Sequence, residues 1–122
     1  MSVLIELNEK ADLTLNKGCT FNYEFTLLDK NDVPVNITGM TGKFTIKQSH
    51  ADTTPIHQCT VSNSQITITG SEGKITVTIP ASTTESFTKI KKAVYDLVLI
   101  NGSVITRLAE GNLIVSANVT NV

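Results

Sequence analysis

The sequence predicts an all-β fold, a two-sheet antiparallel sandwich of about eight or nine short strands. Three observations support this prediction. Short runs alternate apolar and polar residues, glycine, proline and asparagine separate those runs, and threonine is abundant while tryptophan is absent. With 122 residues, the chain has the length of one domain, and we interpret residues 1–122 as a single domain.

The dipeptide Asn101-Gly102 marks the clearest turn in the chain. It lies between the apolar-rich runs AVYDLVLI and SVITRLAEGNLIV, and Asn-Gly between such runs predicts a hairpin with a two-residue turn. This turn places Asp96 opposite Arg107, a charged pair that would fix the register. The other cross-strand pairs that it predicts are Leu99 with Val104, Leu97 with Thr106 and Tyr95 with Leu108.

Both faces of this predicted hairpin are apolar, because Val98, Ile100 and Ile105 lie opposite the inward residues. An antiparallel sheet at the surface of a lone domain usually has one polar face. Two explanations stay open. The apolar group, rimmed by Asp96 and Arg107, contacts another subunit, or a bend folds the ribbon over a sheet end and buries the same residues within the chain.

The N-terminal part begins with two short runs, residues 3–7 and 11–15, that predict strands. The polar residues NEK between them predict a kink or a switch from one sheet to the other. Short terminal strands readily join the sheet edge of a neighbour, so we expect residues 1–10 to be a possible exchanging arm. The arm residues in the candidate subunit interface are Val3, Leu4 and Ile5.

A clean period of two from Cys19 to Leu27 predicts the central core strand, with Cys19 facing inward. Later runs with the same period supply the other core strands, and the segment PASTTESFTKI predicts one helical turn opened by Pro80 or Ser82. The predicted core residues are Phe21, Tyr23, Phe25, Phe44, Ile46, Ile75, Val77, Tyr95, Leu97 and Leu108.

No residue pattern points to catalysis, a cofactor or a metal. His57 and Cys59 would share one face of a strand, with His50 in a nearby loop, but a zinc site usually needs a second closely spaced ligand pair. The glycine-containing turns lack the lysine of a phosphate-binding loop. We therefore predict that the protein is not an enzyme, and that Cys19 and Cys59 are unpaired thiols.

Charge and hydropathy restrict the partners. The net charge is −1 and charged residues make up 17% of the chain, so it lacks the basic surface that nucleic acid requires. No stretch reaches the roughly 20 apolar residues of a membrane span, and the N-terminus does not have the pattern of a signal peptide. We expect a soluble protein, made in a cytoplasm, without membrane insertion.

Three ordered segments of the chain resemble a family of virion proteins. They are LTLNKGCTFNYEFTLLDKNDVPVNITGMTGKFTIKQ, ITGSEGKITVTIPASTTESF and YDLVLINGSVITRLAEGNLIVSANVT. Together they are similar to the Ig-like N-terminal domain of tailed-phage baseplate upper proteins and related tail collar proteins. The similarity covers nearly the whole chain and lies in the order of the segments, since no single motif is diagnostic.

The resemblance implies an Ig-like β-sandwich and a structural protein of the phage particle, a multi-copy collar, ring or baseplate subunit of the tail. It also implies a homo-oligomeric ring in contact with other tail or baseplate proteins, assembled in the host cytoplasm and located in the virion. The chain ends at Val122 without the long extension of a baseplate upper protein, which favours a stand-alone ring or collar component. The alternative is a carbohydrate- or surface-binding decoration module, which needs exposed aromatic residues.

Overall fold

A computed structural model describes residues 2–4, 9–87 and 91–116 of the chain. Most of this part is β-strand, and its only other regular elements are one short α-helix and a 3₁₀ turn at Gly70–Glu72. The all-β prediction is therefore confirmed. The elements are β1 (Ser2–Leu4), β2 (Glu9–Lys10), β3 (Leu13–Asn16), β4 (Phe21–Leu28), β5 (Thr41–Lys47), β6 (His57–Thr60), β7 (Ile66–Thr69), β8 (Lys74–Ile79), α1 (Ala81–Glu85), β9 (Lys92–Asn101) and β10 (Val104–Ser116).

The strands form two sheets. One has the order β1-β4-β8-β7, and the other has the order β2-β10-β9-β5-β6, with β3 also paired to β10. Most neighbours are antiparallel, but β1 is parallel to β4, and both β2 and β3 are parallel to β10. The predicted antiparallel pairing therefore holds for the strands from β4 onward, but not for the N-terminal strands β1, β2 and β3. The N-terminal strands join strands distant in sequence, and no tight hairpin forces an antiparallel pairing there.

The N-terminal segment contributes to both sheets. β1 belongs to the four-stranded sheet, whereas β2 and β3 lie along β10 in the other sheet. This confirms the predicted switch between sheets near the NEK segment. The backbones of Val3 and Leu4 pair with Leu27 and Leu28 of the same chain, and Ile5 lies outside the described residues.

The core lies between the two sheets and contains nearly all the predicted residues. Phe25 and Phe44 are completely buried, and the Phe44 ring stacks on Tyr95 with centroids 5.3 Å apart. Tyr23 is half-buried and packs against this core. The inward prediction for Cys19 was wrong, because β4 begins only at Phe21 and Cys19 is exposed in the preceding turn.

The predicted helical turn is present as α1, which Pro80 precedes in an extended conformation. Its Thr84 is fully buried. The Thr84 hydroxyl accepts a hydrogen bond from the Gly18 amide at 3.1 Å and lies 2.8 Å from the Cys19 carbonyl oxygen, to which it donates. These bonds attach the helix to the turn between β3 and β4.

Candidate interaction surface

The closing hairpin of β9 and β10 has a different turn from the predicted one. Asn101 pairs with Val104, so the two loop residues are Gly102 and Ser103. Gly102 has a φ of 61°, a conformation that favours glycine, and a type II′ turn places glycine at this first loop position. The expected two-residue loop is therefore present but lies one residue further along the chain.

A β-bulge displaces the register a second time. The pairing shifts between Arg107 and Ala109, so Leu108 is an extra residue on β10. Leu108 and Ala109 are both completely buried. The bulge thus directs two consecutive residues away from solvent. The pairs observed in place of the predicted ones are Leu99 with Thr106, Leu97 with Ala109, Tyr95 with Gly111, Asp96 with Glu110 and Val98 with Arg107.

Asp96 and Arg107 nevertheless make contact, on a diagonal rather than directly across the ribbon. The Arg107 Nε lies 3.5 Å from the Asp96 Oδ2, and its Nη1 lies 3.7 Å from the Glu110 Oε2. Asp96 and Glu110 are directly opposed like charges, and such pairs are destabilising on a sheet. One guanidinium therefore compensates two carboxylates. Glu110 was not part of the predicted site.

Three apolar residues lie side by side on the outer face of the hairpin, and we call them the hairpin surface: Val98, Ile100 and Ile105. Ile105 pairs directly with Ile100, and its side chain is 66% exposed. Val104 was expected to face inward but is 61% exposed, because it lies at the hairpin tip beside the loop. Val98 and Ile100 are half-buried on the outer side of the sheet.

A shallow depression of about 140 Å³ lies beside the charged residues. Lys47 and His50 line it together with Asp96, Arg107 and Glu110. Both charge signs meet within this small volume, so the site has no strong preference for an anion or a cation. We interpret the depression as the polar rim of the hairpin surface.

Of the residues considered for a metal site, His50 lines this depression, whereas His57 and Cys59 do not. His57 and Cys59 both belong to β6, where the His57 ring hydrogen-bonds to the Gln65 side chain and contacts the Phe87 ring. Cys59 is completely buried, and desolvation raises the pKa of its thiol to about 12. A thiol that stays protonated at neutral pH is a poor nucleophile and a poor metal ligand.

Comparisons with known proteins do not identify a family for this chain. No protein-family model matches the chain, and no curated protein matches it. Within the described ranges, α1 is far too short to cross a membrane, and no other helix there is long and apolar enough. The features that bear on function are therefore the surface itself and the sequence resemblance.

The predicted interface residues fall into two groups. Val98, Ile100, Ile105, Asp96 and Arg107 lie together on the outer side of the hairpin, in the six-stranded sheet. Val3 and Leu4 belong to β1 in the other sheet. The sequence alone did not indicate that Val104 is exposed, because its exposure depends on the position of the turn.

Proposed function

We propose that the protein is a structural component of a bacteriophage particle, a multi-copy collar, ring or baseplate subunit of the tail. The observation that carries this proposal is the hairpin surface, where the large apolar side chain of Ile105 is more than half exposed beside Ile100 and Val98. Contiguous apolar residues rimmed by charges are typical of protein–protein contacts. The resemblance to tail collar and baseplate proteins points to the same role.

The strand orders support an Ig-like arrangement of the sandwich. In Ig-type domains, strands A, B, E and D form one sheet, and strands G, F, C and C′ form the other. The orders β1-β4-β8-β7 and β10-β9-β5-β6 correspond to these two sheets. A rigid sandwich of this kind serves as a repeating unit whose edges and outer faces contact neighbours.

Contact through the hairpin surface has a favourable energetic balance. Burying a side chain of the size of Ile105 stabilises an interface by about 1.5 to 3 kcal/mol. Asp96 and Arg107 lie on the rim of the hairpin surface, where complementary charges restrict which partner orientations fit. The hairpin surface therefore supplies the driving force, and the charged rim supplies the specificity.

The N-terminal arm provides a second contact. In the described part of residues 1–10, three residues of β1 pair with β4 and two of β2 pair with β10. Short ladders of this kind exchange readily between copies, because the strand lost from one copy is replaced by the same strand of another. Exchange of Val3, Leu4 and Ile5 would link neighbours around a ring.

The carbohydrate-binding alternative has less support. A glycan site of this type needs an exposed aromatic ring for stacking. All six aromatic residues belong to the described part of the chain. Five are buried, and Tyr23 is half-buried against the core.

Light scattering of the purified protein over a range of concentrations tests the proposal. We expect the wild-type chain to form a defined multimer, and Ile105→Lys to shift it towards the monomer. Val33→Lys is the matched control, because Val33 is 52% exposed in a turn outside the hairpin. A wild-type protein that stays monomeric at high concentration, or an Ile105→Lys variant with an unchanged mass, would contradict the proposal.

A further inference from the structure

The first half of β10 has an unpaired edge. β9 pairs with β10 from Val104 to Ile114, but on the opposite side β2 and β3 begin to pair only at Ala109. Residues 104–108 of β10 thus have a neighbouring strand on one side only, among the described residues. The edge is accessible, since Val104 and Ile105 are mostly exposed and the Arg107 side chain is 53% exposed.

The hydrogen-bond pattern shows which backbone groups lie on this edge. Asn101 and Val104 flank the two-residue loop and form the hydrogen-bonded pair that closes it. The pattern alternates along an antiparallel ladder, so the N–H and C=O groups of Ile105 and Arg107 point away from β9. Beyond the bulge, the Glu110 carbonyl points to the same side and accepts a hydrogen bond from the Ala11 amide at 3.0 Å.

The opposite edge of the same sheet is blocked in a way that this edge is not. At β6, the Asn63 side chain accepts a hydrogen bond from the Thr60 amide and donates one to the Gln58 carbonyl, both at 3.0 Å. It thus occupies backbone groups that a further strand would use. Within the described ranges, no side chain makes an equivalent pair of bonds to Ile105 and Arg107. Among the described residues, the β6 edge is therefore protected, whereas residues 104–108 of β10 form an open edge.

We infer that the open edge of β10 pairs antiparallel with the same edge of a second copy, so that the six-stranded sheet continues across a two-fold axis. This inference rests on the proposed self-association through the hairpin and specifies its geometry. Ile105 of each copy lies opposite Arg107 of the second copy, and Thr106 lies opposite Thr106 of the second copy.

A second copy fits because its groups match in number and position. Each edge offers two N–H donors and two C=O acceptors, from Ile105 and Arg107, and the two-fold axis brings the donors of one copy onto the acceptors of the other. The central Thr–Thr pair is a favourable cross-strand combination. Each Arg107 is already compensated by Asp96 and Glu110, so the pairing does not bring uncompensated cations together.

The pairing also extends the hairpin surface. Ile105 and Arg107 project from the same outer side of the ribbon as Ile100 and Val98. Antiparallel addition therefore places the Ile105 side chain beside the aliphatic stem of Arg107 from the second copy. A two-fold contact joins copies in pairs, and the N-terminal arm remains as the second contact through which pairs extend into a ring.

Cross-linking at the two-fold axis tests the register. In a Cys19→Ser background, which removes the exposed native thiol, we expect Thr106→Cys to form a disulfide-linked dimer under mild oxidation. Thr14→Cys is the matched control, an exposed threonine on the edge strand β3 that the pairing does not bring together. If Thr106→Cys forms no more cross-linked dimer than Thr14→Cys, the inferred pairing is wrong.

Proline tests the backbone contribution. Ile105→Ala removes the side chain but keeps the outward N–H, whereas Ile105→Pro removes both, and proline is tolerated on edge strands. We expect the dimer dissociation constant to rise about 30-fold more for Ile105→Pro than for Ile105→Ala, because the symmetric dimer loses two hydrogen bonds of about 1 kcal/mol each. Circular dichroism melting checks that both variants fold.

The outcomes separate this inference from the proposed function. Equal weakening by Ile105→Pro and Ile105→Ala, with no cross-link at residue 106, would mean that the hairpin associates through side chains only. That result would overturn the strand pairing and leave the proposed function in place. A protein that remains monomeric in all variants would overturn both.

Discussion

The Tyr95 hydroxyl donates a hydrogen bond of 2.6 Å to the carbonyl oxygen of Ala11, 84 positions away in the sequence. Tyr95 lies in β9, whereas Ala11 lies in the N-terminal segment between β2 and β3. The directly opposed partner of Tyr95 is Gly111, which has no side chain to obstruct the phenol. The bond therefore fixes the N-terminal segment across the ribbon, at the point where residues 1–10 end.

We expect Tyr95→Phe to lower the free energy of unfolding by about 1 to 2 kcal/mol, because the aromatic packing stays while the Ala11 carbonyl loses its buried donor. Urea denaturation measures the change. The matched control is Tyr23→Phe, whose hydroxyl has no hydrogen bond within the described part of the structure. Equal effects of the two substitutions would show that the Tyr95 hydroxyl does not hold the segment.

Gly111 permits the close approach of the N-terminal segment. A Cβ at this position would overlap the carbonyl oxygen of Ala11. We expect Gly111→Ala to destabilise the fold by about 3 kcal/mol, the upper part of the range for overpacked sites. Gly42→Ala is a graded control, because its Cβ would lie 3.3 Å from the Val98 carbonyl oxygen and should cost less. Thermal melting of both variants gives the comparison, and a Gly111→Ala variant as stable as wild type would contradict the observed path of the segment.

The two cysteines should differ sharply in reactivity. Cys19 is exposed and Cys59 is buried. We expect a thiol reagent at neutral pH to modify Cys19 within the native protein, and to modify Cys59 only after unfolding. Mass spectrometry of peptides after timed labelling distinguishes the two sites. Rapid modification of Cys59 in the native state would mean that β6 opens easily.

Burial of Cys59 also predicts a pH dependence. Desolvation raises the pKa of its thiol from 9.0 to about 12, so the folded state keeps a proton that the unfolded state releases. The stability contributed by the neutral thiol is fully present below pH 9 and is lost as the pH rises from 9 towards 12. The difference in unfolding free energy between wild type and Cys59→Ala should therefore shrink over this interval. A difference that stays constant would contradict the raised pKa.

The sequence was sufficient to predict the all-β fold and the core, since both follow from period-two alternation. Phe21, Phe25, Phe44 and Leu97 are buried as that period requires. The inward prediction for Cys19 was wrong because the alternating pattern extends beyond the strand into the preceding turn. Strand ends depend on hydrogen bonds with distant residues, here the contact of Thr84 with the Gly18–Cys19 turn, which alternation does not reveal.

The hairpin register was less predictable for two physical reasons. Both Asn101-Gly102 and Gly102-Ser103 satisfy the preference for glycine in a two-residue turn, and only the pairing of the strands decides between them. The bulge at Leu108 has no sequence signal. It is favoured because it buries both Leu108 and Ala109. The parallel pairing of β1 likewise depends on distant strands.

Arg107 balances the charges on the outer face of the hairpin. It is the cation that compensates the directly opposed carboxylates of Asp96 and Glu110. We expect Arg107→Gln to destabilise the monomer by about 0.5 to 1 kcal/mol at low salt, a typical value for partly exposed charges, because the two carboxylates then repel each other without compensation.

Adding Glu110→Gln to Arg107→Gln should restore most of this loss, since only Asp96 then remains charged. High salt should reduce the destabilisation of the single variant Arg107→Gln, because screening weakens the repulsion between partly exposed carboxylates.

A double-mutant cycle of Asp96→Asn and Arg107→Gln measures the coupling between these two residues. Urea denaturation gives the unfolding free energies below and above the protein concentration at which copies associate. In the associated state the coupling should be several times larger, because burial at a subunit contact leaves the surviving charge unpaired. A coupling that is the same at both concentrations would show that Asp96 and Arg107 lie outside the subunit contact.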